Sequence, residues 1–178
     1  NGENKKIMEK LCILANMEKD KNVRFLDLKQ ITDSFEPMLS QEVMRIVQSG
    51  WYLLGDEVSR FEKAFADYCD ALYCVGVANG LDALTLIWMA MREMYGWQAG
   101  DEVIVPANTY IASILSVTRA GLTPVLCEPH ADDALIDASR AETLITSRTK
   151  AIMVVHLYGQ ACDMDQIIST IIYTRETI

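Results

Sequence analysis

Short apolar segments alternate with segments of helical periodicity along most of this chain, and that alternation constrains its fold more than any other feature. The apolar segments predicted as strands are 72–78, 101–106, 123–129 and 151–159. They are apolar throughout rather than alternately apolar and polar, which is typical of strands that helices cover on both faces. The sequence therefore predicts an α/β fold, with a mostly parallel sheet flanked by helices.

Helix start and stop signals account for most of the remaining chain. Helices are predicted at 40–50, 56–70, 81–96, 109–121 and 137–145, with another beginning at 164. On the second of these, Val58, Phe61, Phe65 and Tyr68 fall on one helical face. Residues 23–29 are predicted to form a short extended arm before the first helix.

The composition argues against several classes of function. The 178 residues carry 25 Asp and Glu against 16 Lys and Arg, a net charge of −9, which disfavours nucleic acid or an anionic membrane as partner. No apolar run reaches the length of a membrane span, about 20 residues, and the N-terminus is too charged for a signal peptide. We therefore expect a soluble, cytoplasmic protein.

The cysteines and histidines give little support for a disulfide framework or a metal site. The five cysteines are scattered without a C-x-x-C spacing, and only two histidines accompany them. Free cysteine is among the most often buried residue types, so most of these are expected to be small core residues. The cysteines are Cys12, Cys69, Cys74, Cys127 and Cys162.

Gly80 follows one predicted strand and precedes one predicted helix, at the kind of strand end where α/β sheets bind ligands. A glycine there lets the backbone approach a ligand closely, and the helix N-terminus presents free N–H groups to an anion such as phosphate. Alternatively, Asn79 and Gly80 form a tight turn that needs a positive φ. Neither a G-x-G-x-x-G nor a Walker motif is present, and both interpretations remain open.

Two further predicted strand ends carry ring-bearing side chains. Tyr110 lies just inside the next predicted helix, where it could stack on a planar ligand ring or pack as an ordinary core aromatic. His156 and Tyr158 lie at the third strand end. His156 suits acid–base chemistry near neutral pH, although a single histidine is more often structural.

Several dispersed segments agree with one family. In order and spacing, FLDLK, SGWYLLGDEVSRFEKAFADYC, GVANGLDALTL, GDEVIVPANTYIAS and RTKAIMVVHLYGQACDMDQI resemble the sugar-nucleotide aminotransferases of the DegT/StrS type. These are pyridoxal-phosphate (PLP) enzymes with the aspartate-aminotransferase fold. The resemblance runs from about Val23 to Ile168 and implies a partial PLP-binding large domain at 23–168, between an N-terminal extension at 1–22 and a tail at 169–178 that departs from the family pattern.

The resemblance implies roles for particular residues. Gly80 and Leu81 would give backbone N–H groups to the PLP phosphate, and Tyr110 would stack on the pyridine ring. Substrate contacts are expected from Tyr52, Asn108 and His156.

The implied reaction transfers an amino group from an amino acid, expected to be glutamate, to a keto-deoxy sugar on a nucleotide, in a cytoplasmic homodimer. NGLDAL and WYLLG favour members that act at C3 of dTDP-linked keto-6-deoxyhexoses in deoxyamino-sugar biosynthesis.

Two catalytic groups of the family are not expected in this chain: the Schiff-base lysine and the acid that pairs with the pyridine nitrogen. Lys63 is predicted to face water, and Lys150 to lie at the wrong end of its strand. The chain alone is therefore expected to be inactive. The alternatives are a non-catalytic fragment or interaction module, a different phosphate-binding α/β protein, or a dehydratase or regulator of the same family.

Overall fold

The computed structural model describes residues 25–177, with side chains described through residue 171. The predicted N-terminal extension and Cys12 lie outside the described residues. Two compact units divide the chain between Cys74 and Val75. No helix among the described residues combines the length and apolar composition that a membrane span requires.

The first unit contains three helices in its described part. They are α1 (Leu28–Ser34), α2 (Met38–Ser49) and α3 (Asp56–Tyr68). The extended arm predicted at 23–29 is wrong from Leu28 onward, because the Asp27 side chain accepts a hydrogen bond from the Gln30 N–H and caps a helix there. Helix α2 ends where predicted, at Gly50, whose φ of 67° is left-handed.

Helix α3 confirms the predicted aromatic face but leaves it exposed in the described structure. The ring centroids of Phe61 and Phe65 lie 5.6 Å apart, and those of Phe65 and Tyr68 lie 6.3 Å apart. All three side chains are exposed, whereas Ala66 is the buried residue of this helix. The helical periodicity therefore identified a shared face without indicating what covers it.

The second unit is the predicted α/β structure. Its elements are α4 (Gly80–Tyr95), β1 (Glu102–Pro106), α5 (Ile111–Arg119), β2 (Thr123–Cys127), α6 (Ala138–Thr143), β3 (Thr149–Ile152), a 3₁₀ turn (Leu157–Gly159) and α7 (Met164–Thr177). The three strands are parallel in the order β2-β1-β3. The sequence prediction of a parallel sheet flanked by helices is confirmed.

Strand β1 is buried along its whole length because helices pack on both faces of the sheet. Alternate residues of a strand point to opposite faces. Val103 and Val105 therefore join one apolar cluster with Trp88 and Val117 of helices α4 and α5, whereas Ile104 joins a second cluster. The other members of the second cluster include Cys127, Ala138, Ala141, Cys162 and Ile167.

The prediction that most cysteines are buried holds for only part of the described set. Cys127 and Cys162 are buried, Cys74 is partly buried and Cys69 is exposed. All four are free thiols. The two buried cysteines, on β2 and in the loop before α7, belong to the same apolar cluster.

The strand predicted at 72–78 is wrong: this segment is not part of the sheet. Its large apolar side chains are exposed, with Leu72 and Tyr73 at 90% and 86% of their full accessibility. A strand requires a neighbouring strand for its ladder hydrogen bonds. Residues 72–78 pair with none of the three strands, so an apolar sequence alone did not make this segment a strand.

The orientation of α4 and α5 follows from contacts at their C-terminal ends. The Arg92 guanidinium, in the last turn of α4, donates to the carbonyl oxygen of Ala120, which ends α5. Gly100, which precedes β1, donates to the carbonyl oxygen of Gly121. Both helices therefore end beside the edge where β1 and β2 begin, and their first residues point toward the edge where the strands end.

Candidate functional site

The first turn of α4 presents two backbone donors that have no acceptor among the described residues. Asn79 caps this helix: its side-chain oxygen accepts from the Asp82 N–H at 3.0 Å, and its amide donates to the Asp82 carboxylate at 2.9 Å. Within the described residues, the N–H groups of Gly80 and Leu81 have no hydrogen-bond acceptor. The partial positive charge of the helix N-terminus is therefore available to an anion.

The structure excludes one of the two interpretations of Gly80. Asn79 has φ −164° and ψ 170°, and Gly80 is not among the positive-φ residues, so the interpretation as a positive-φ turn is wrong. A Cβ added at Gly80 would meet no atom within 4 Å. Neither backbone conformation nor packing thus requires glycine here. The space that a side chain would occupy at Gly80 is open.

Tyr110 follows the C-terminal end of β1. It is the N-cap residue of α5, with an extended backbone at φ −61° and ψ 140°, rather than lying just inside the helix. Its side chain is 77% exposed, so the interpretation as an ordinary core aromatic is wrong. The phenol ring is therefore accessible at the edge of the sheet toward which α4 also points its N-terminus.

His156 follows the C-terminal end of β3, where the backbone bends sharply. The Cys162 N–H donates to His156 Nδ1 at 3.1 Å. Because Nδ1 accepts this hydrogen bond, Nε2 is the ring nitrogen that remains to donate. Tyr158 and Gly159 both have left-handed φ values, 56° and 80°, and the Tyr158 side chain is exposed.

A second histidine lies at the same sheet edge, and the sequence analysis did not assign it a role. His130 follows β2, and its Nε2 lies 3.7 Å from Asp137 Oδ1. The Asp137 carboxyl has a pKa below its usual value, chiefly because the Ser139 hydroxyl donates to it, with burial acting in the opposite direction. In the sequence, His130 comes directly after an apolar segment predicted as a strand, and that position could have identified it as a candidate site residue.

Comparison with known proteins decides the family. The DegT/DnrJ/EryC1/StrS aminotransferase family matches residues 34–171. This chain belongs to that family.

Several characterised or structurally solved members of the family are similar to this chain. The dTDP-3-amino-3,6-dideoxy-alpha-D-galactopyranose transaminase of Aneurinibacillus thermoaerophilus is 58% identical over 145 residues, which are 82% of this chain and 39% of that enzyme. S. venezuelae DesV in complex with a ketimine intermediate matches with a TM-score of 0.74 and 44% identity, over 85% of this chain and 40% of that one.

E. coli GDP-4-keto-6-deoxy-D-mannose-3-dehydratase with bound hydrated PLP matches with a TM-score of 0.68 and 26% identity, over 74% of this chain and 34% of that one. The chain therefore spans about two fifths of the length of the Aneurinibacillus transaminase and of DesV.

Tyr52, the substrate contact predicted from the family resemblance, lies in the first unit. Its hydroxyl donates to the Val47 carbonyl oxygen at 3.1 Å, and its ring is exposed. The neighbouring Trp51 donates from Nε1 to the Leu53 carbonyl oxygen at 2.8 Å. These bonds fix the fold of the WYLLG segment itself.

The first unit also has a charged surface cleft of about 620 Å³, which the sequence analysis did not anticipate. It is lined by Arg45, Asp56, Glu57, Ser59, Arg60 and Lys63. Hydrogen bonds from Arg45 and then Arg60 lower the pKa of Glu57 to about 2. Because its cations are paired with carboxylates, this cleft is a weaker candidate anion site than the free N–H groups of α4.

Lys63 and Lys150 occupy the positions predicted from the sequence. Lys63 is exposed and pairs with Asp67 on the same helix. Lys150 lies at the beginning of β3, is exposed, and donates to the Ser147 carbonyl oxygen at 3.3 Å. In the second unit, the described residues thus place no lysine at the edge where the strands end.

Proposed function

We propose that this chain supplies part of the PLP site of an enzyme that transfers an amino group from an amino acid to a nucleotide-linked keto-deoxy sugar. The observation that carries the proposal is the pair of free N–H groups at Gly80 and Leu81, in a chain of a family whose solved members include PLP-bound forms. The exposed Tyr110 ring, at the sheet edge toward which those N–H groups point, supports it.

The residues present fit two parts of the cofactor. A phosphate suits the free N–H groups because it is an anion at a helix N-terminus, and a planar pyridine ring suits an accessible phenol face. When bound, PLP supplies an electron sink for the amino transfer. The Schiff-base lysine and the acid that pairs with the pyridine nitrogen are proposed to lie outside this chain, as the family resemblance implies.

The residues of this chain would bind the cofactor and orient it. Gly80 and Leu81 would hold the phosphate. Asn79 would keep the helix end ordered, because its side chain hydrogen-bonds to both the N–H and the carboxylate of Asp82. Arg119 lies 3.7 Å from the Asp82 carboxylate and offsets part of its negative charge near the anion. Tyr110 would fix the ring plane from one side.

For the substrate, we propose a dTDP-linked 3-keto-6-deoxyhexose, with glutamate as amino donor. The support is the name of the 58% identical transaminase. Tyr52 and His156 are proposed to contact the sugar nucleotide, and His156 is suited to donate from Nε2 because Nδ1 is already occupied. A cytoplasmic homodimer is part of the proposal through the family resemblance alone.

The reaction is tested on the full-length protein purified with PLP and L-glutamate. We expect amino transfer to a dTDP-linked 3-keto-6-deoxyhexose, followed as glutamate-dependent formation of the amino sugar. Tyr110→Ala should weaken PLP binding about twofold to tenfold, whereas Tyr110→Phe keeps the ring and should bind like the parent. Loss of water from the sugar without amino transfer would instead support a dehydratase, and transfer to a GDP-linked sugar would contradict the proposed nucleotide.

The 178-residue chain alone is proposed to lack turnover. Incubation with PLP followed by borohydride and peptide mass spectrometry should fix no stoichiometric adduct on a particular lysine. A specific adduct on Lys150 or Lys63 together with glutamate-dependent turnover would contradict this.

A second candidate, an interaction module, is favoured by one observation. The aromatic face of α3, formed by Phe61, Phe65 and Tyr68, is exposed in the described structure. Large exposed apolar patches commonly mark interaction surfaces. A monodisperse, cooperatively folded chain that binds no PLP would favour this candidate over the enzyme.

A further inference from the structure

The three residues before Tyr110 are each anchored to a different part of the second unit. We call residues 107–110 the β1 loop. The Ala107 N–H donates to the Cys127 carbonyl oxygen at 2.8 Å, and the Thr109 hydroxyl lies 2.9 Å from the Ser113 hydroxyl. Between them, Asn108 Nδ2 donates to the Ala134 carbonyl oxygen at 2.8 Å. Asn108 thus makes a side-chain bond to a residue 26 positions away.

The acceptor of that bond belongs to a loop that is well ordered by its own contacts. We call residues 128–137 the β2 loop. The His130 N–H donates to the Leu135 carbonyl oxygen at 2.9 Å, and the Ala134 N–H donates to the His130 carbonyl oxygen at 3.1 Å. Leu135 and Ile136 are buried, and Asp137 caps α6. The β2 loop is therefore a firm support, whereas the Tyr110 side chain has little packing of its own.

Ala134 adopts an unusual backbone conformation at the point of attachment. Its φ of 60° is left-handed, which disfavours residues other than glycine. This conformation is held by the surrounding loop bonds, and its carbonyl oxygen is the group that Asn108 contacts. Without this bond, the exposed Asn108 amide would hydrogen-bond to water instead, so the bond adds little to the stability of the chain. Its main effect is to restrict the movement of the β1 loop.

We propose that Asn108 is a positioning residue: by tying the β1 loop to the β2 loop it presents Tyr110 in a fixed place for the planar ring of the cofactor. This role rests on the proposed function and replaces the direct substrate contact expected for Asn108 from the family resemblance. Preorganisation of this kind lowers the ordering cost of binding. The Asn108 bond should therefore raise the affinity for a ligand with a planar ring. It should not change the affinity for a bare anion bound at Gly80 and Leu81.

The test compares two probes, PLP and inorganic phosphate, on the 178-residue chain. Asn108→Ala removes the donor, and Asn108→Asp keeps the shape while replacing the neutral amide by a negatively charged acceptor. Asn108→Gln keeps an amide donor on a longer side chain and should partly restore binding. Gln160→Ala is the matched control, because Gln160 is an exposed amide after β3 whose side chain makes no recorded hydrogen bond among the described residues.

Removing the Asn108 donor should lower the affinity for PLP but not for inorganic phosphate. Asn108→Ala should weaken PLP binding about fivefold to tenfold, as expected from losing one ordering hydrogen bond, and leave phosphate binding within about twofold. Asn108→Asp should also weaken PLP binding, but its added negative charge acts on both probes, so the comparison between the probes rests on Asn108→Ala. Deuterium uptake should rise in both loops. Equal losses for both probes, or greater uptake with unchanged PLP affinity, would overturn the positioning role. A parent chain that binds neither probe would contradict the proposed cofactor site itself, and this role with it.

Discussion

Among single residues, Glu102 shows how a buried charge can be accommodated at the sheet edge opposite the candidate site. It lies at the start of β1 with only 5% of its surface exposed. Its carboxylate accepts from Thr146 Oγ1 at 2.5 Å, from Arg148 Nη2 at 2.6 Å and from Thr149 Oγ1 at 3.3 Å. These bonds join β1 to the segment that leads into β3.

Glu102→Gln should destabilise the chain by about 1–3 kcal/mol at pH 7, because the amide replaces a charged acceptor and brings an extra donor. The Thr146 hydrogen bond is the largest cause that lowers the Glu102 pKa from 4.5, opposed by burial and aided by Arg148. A lowered pKa contributes stability that is fully present above the unfolded value and is lost as pH falls through the folded value.

Urea unfolding from pH 7 downward tests this. The parent should lose part of its advantage over Glu102→Gln below about pH 4.5. Glu142→Gln, at an exposed position on α6, should leave both the stability and its pH dependence nearly unchanged. A constant gap between the parent and Glu102→Gln across that range would contradict the assignment.

The two ends of α4 offer a paired prediction about glycine. Gly80→Ala should keep or slightly raise the free energy of unfolding, since a Cβ there meets open space, but should weaken phosphate binding. Gly96→Ala should lower the free energy of unfolding by about 1 kcal/mol, because Gly96 has a left-handed φ of 67°, and it should leave phosphate binding unchanged. Thermal melts and phosphate titrations distinguish them, and equal phosphate affinity in both variants would count against the role of Gly80.

Among the elements, periodicity predicted the helices better than it predicted sheet membership. Helices α2, α3 and α4 were predicted within a few residues because glycines and apolar faces mark them locally. The segment 72–78 has strand-like composition, yet whether it pairs depends on a neighbouring strand that its own residues cannot reveal. Asn79 could have been recognised from sequence as a helix cap. The acceptor role of His156 Nδ1 and the attachment of Asn108 could not, because both depend on distant backbone groups.

The contact between α4 and the end of α5 gives a prediction about coupled residues. Gly121 has φ 75°, and a Cβ built there would lie 2.8 Å from Arg92 Nη1. Gly121→Ala should therefore cost about 2–3 kcal/mol, from backbone strain together with displacement of Arg92. In an Arg92→Ala background the same change should cost about 1–2 kcal/mol, because only the strain remains. Strict additivity in this double-mutant cycle would contradict the contact.

At the scale of the whole molecule, apolar exposure is the dominant feature of the described residues. Helix α4 leaves Leu86, Ile87 and Met89 about half exposed, although its other side packs on the sheet. The aromatic face of α3 is exposed as well. Patches of this kind favour association, and the outer edges of β2 and β3 offer further backbone pairing.

We therefore expect the isolated chain to be marginally stable and to self-associate, as judged by size-exclusion chromatography with light scattering and by thermal melting. Phe65→Glu should reduce association, whereas Lys63→Glu, on the solvated side of the same helix, should not. A monodisperse monomer with a sharp cooperative melt would show that the chain folds alone, and it would place the interaction module ahead of the enzyme.

The free N–H groups of α4 are proposed to bind the cofactor phosphate, and an amide NMR titration of the chain with PLP can follow this binding residue by residue. Saturable shifts are expected at Gly80 and Leu81, accompanied by shifts of the Tyr110 ring, with inorganic phosphate reproducing only the first set. Shifts centred instead on Arg45 and Arg60 in the charged cleft, or no saturable shift at Gly80 and Leu81, would contradict it.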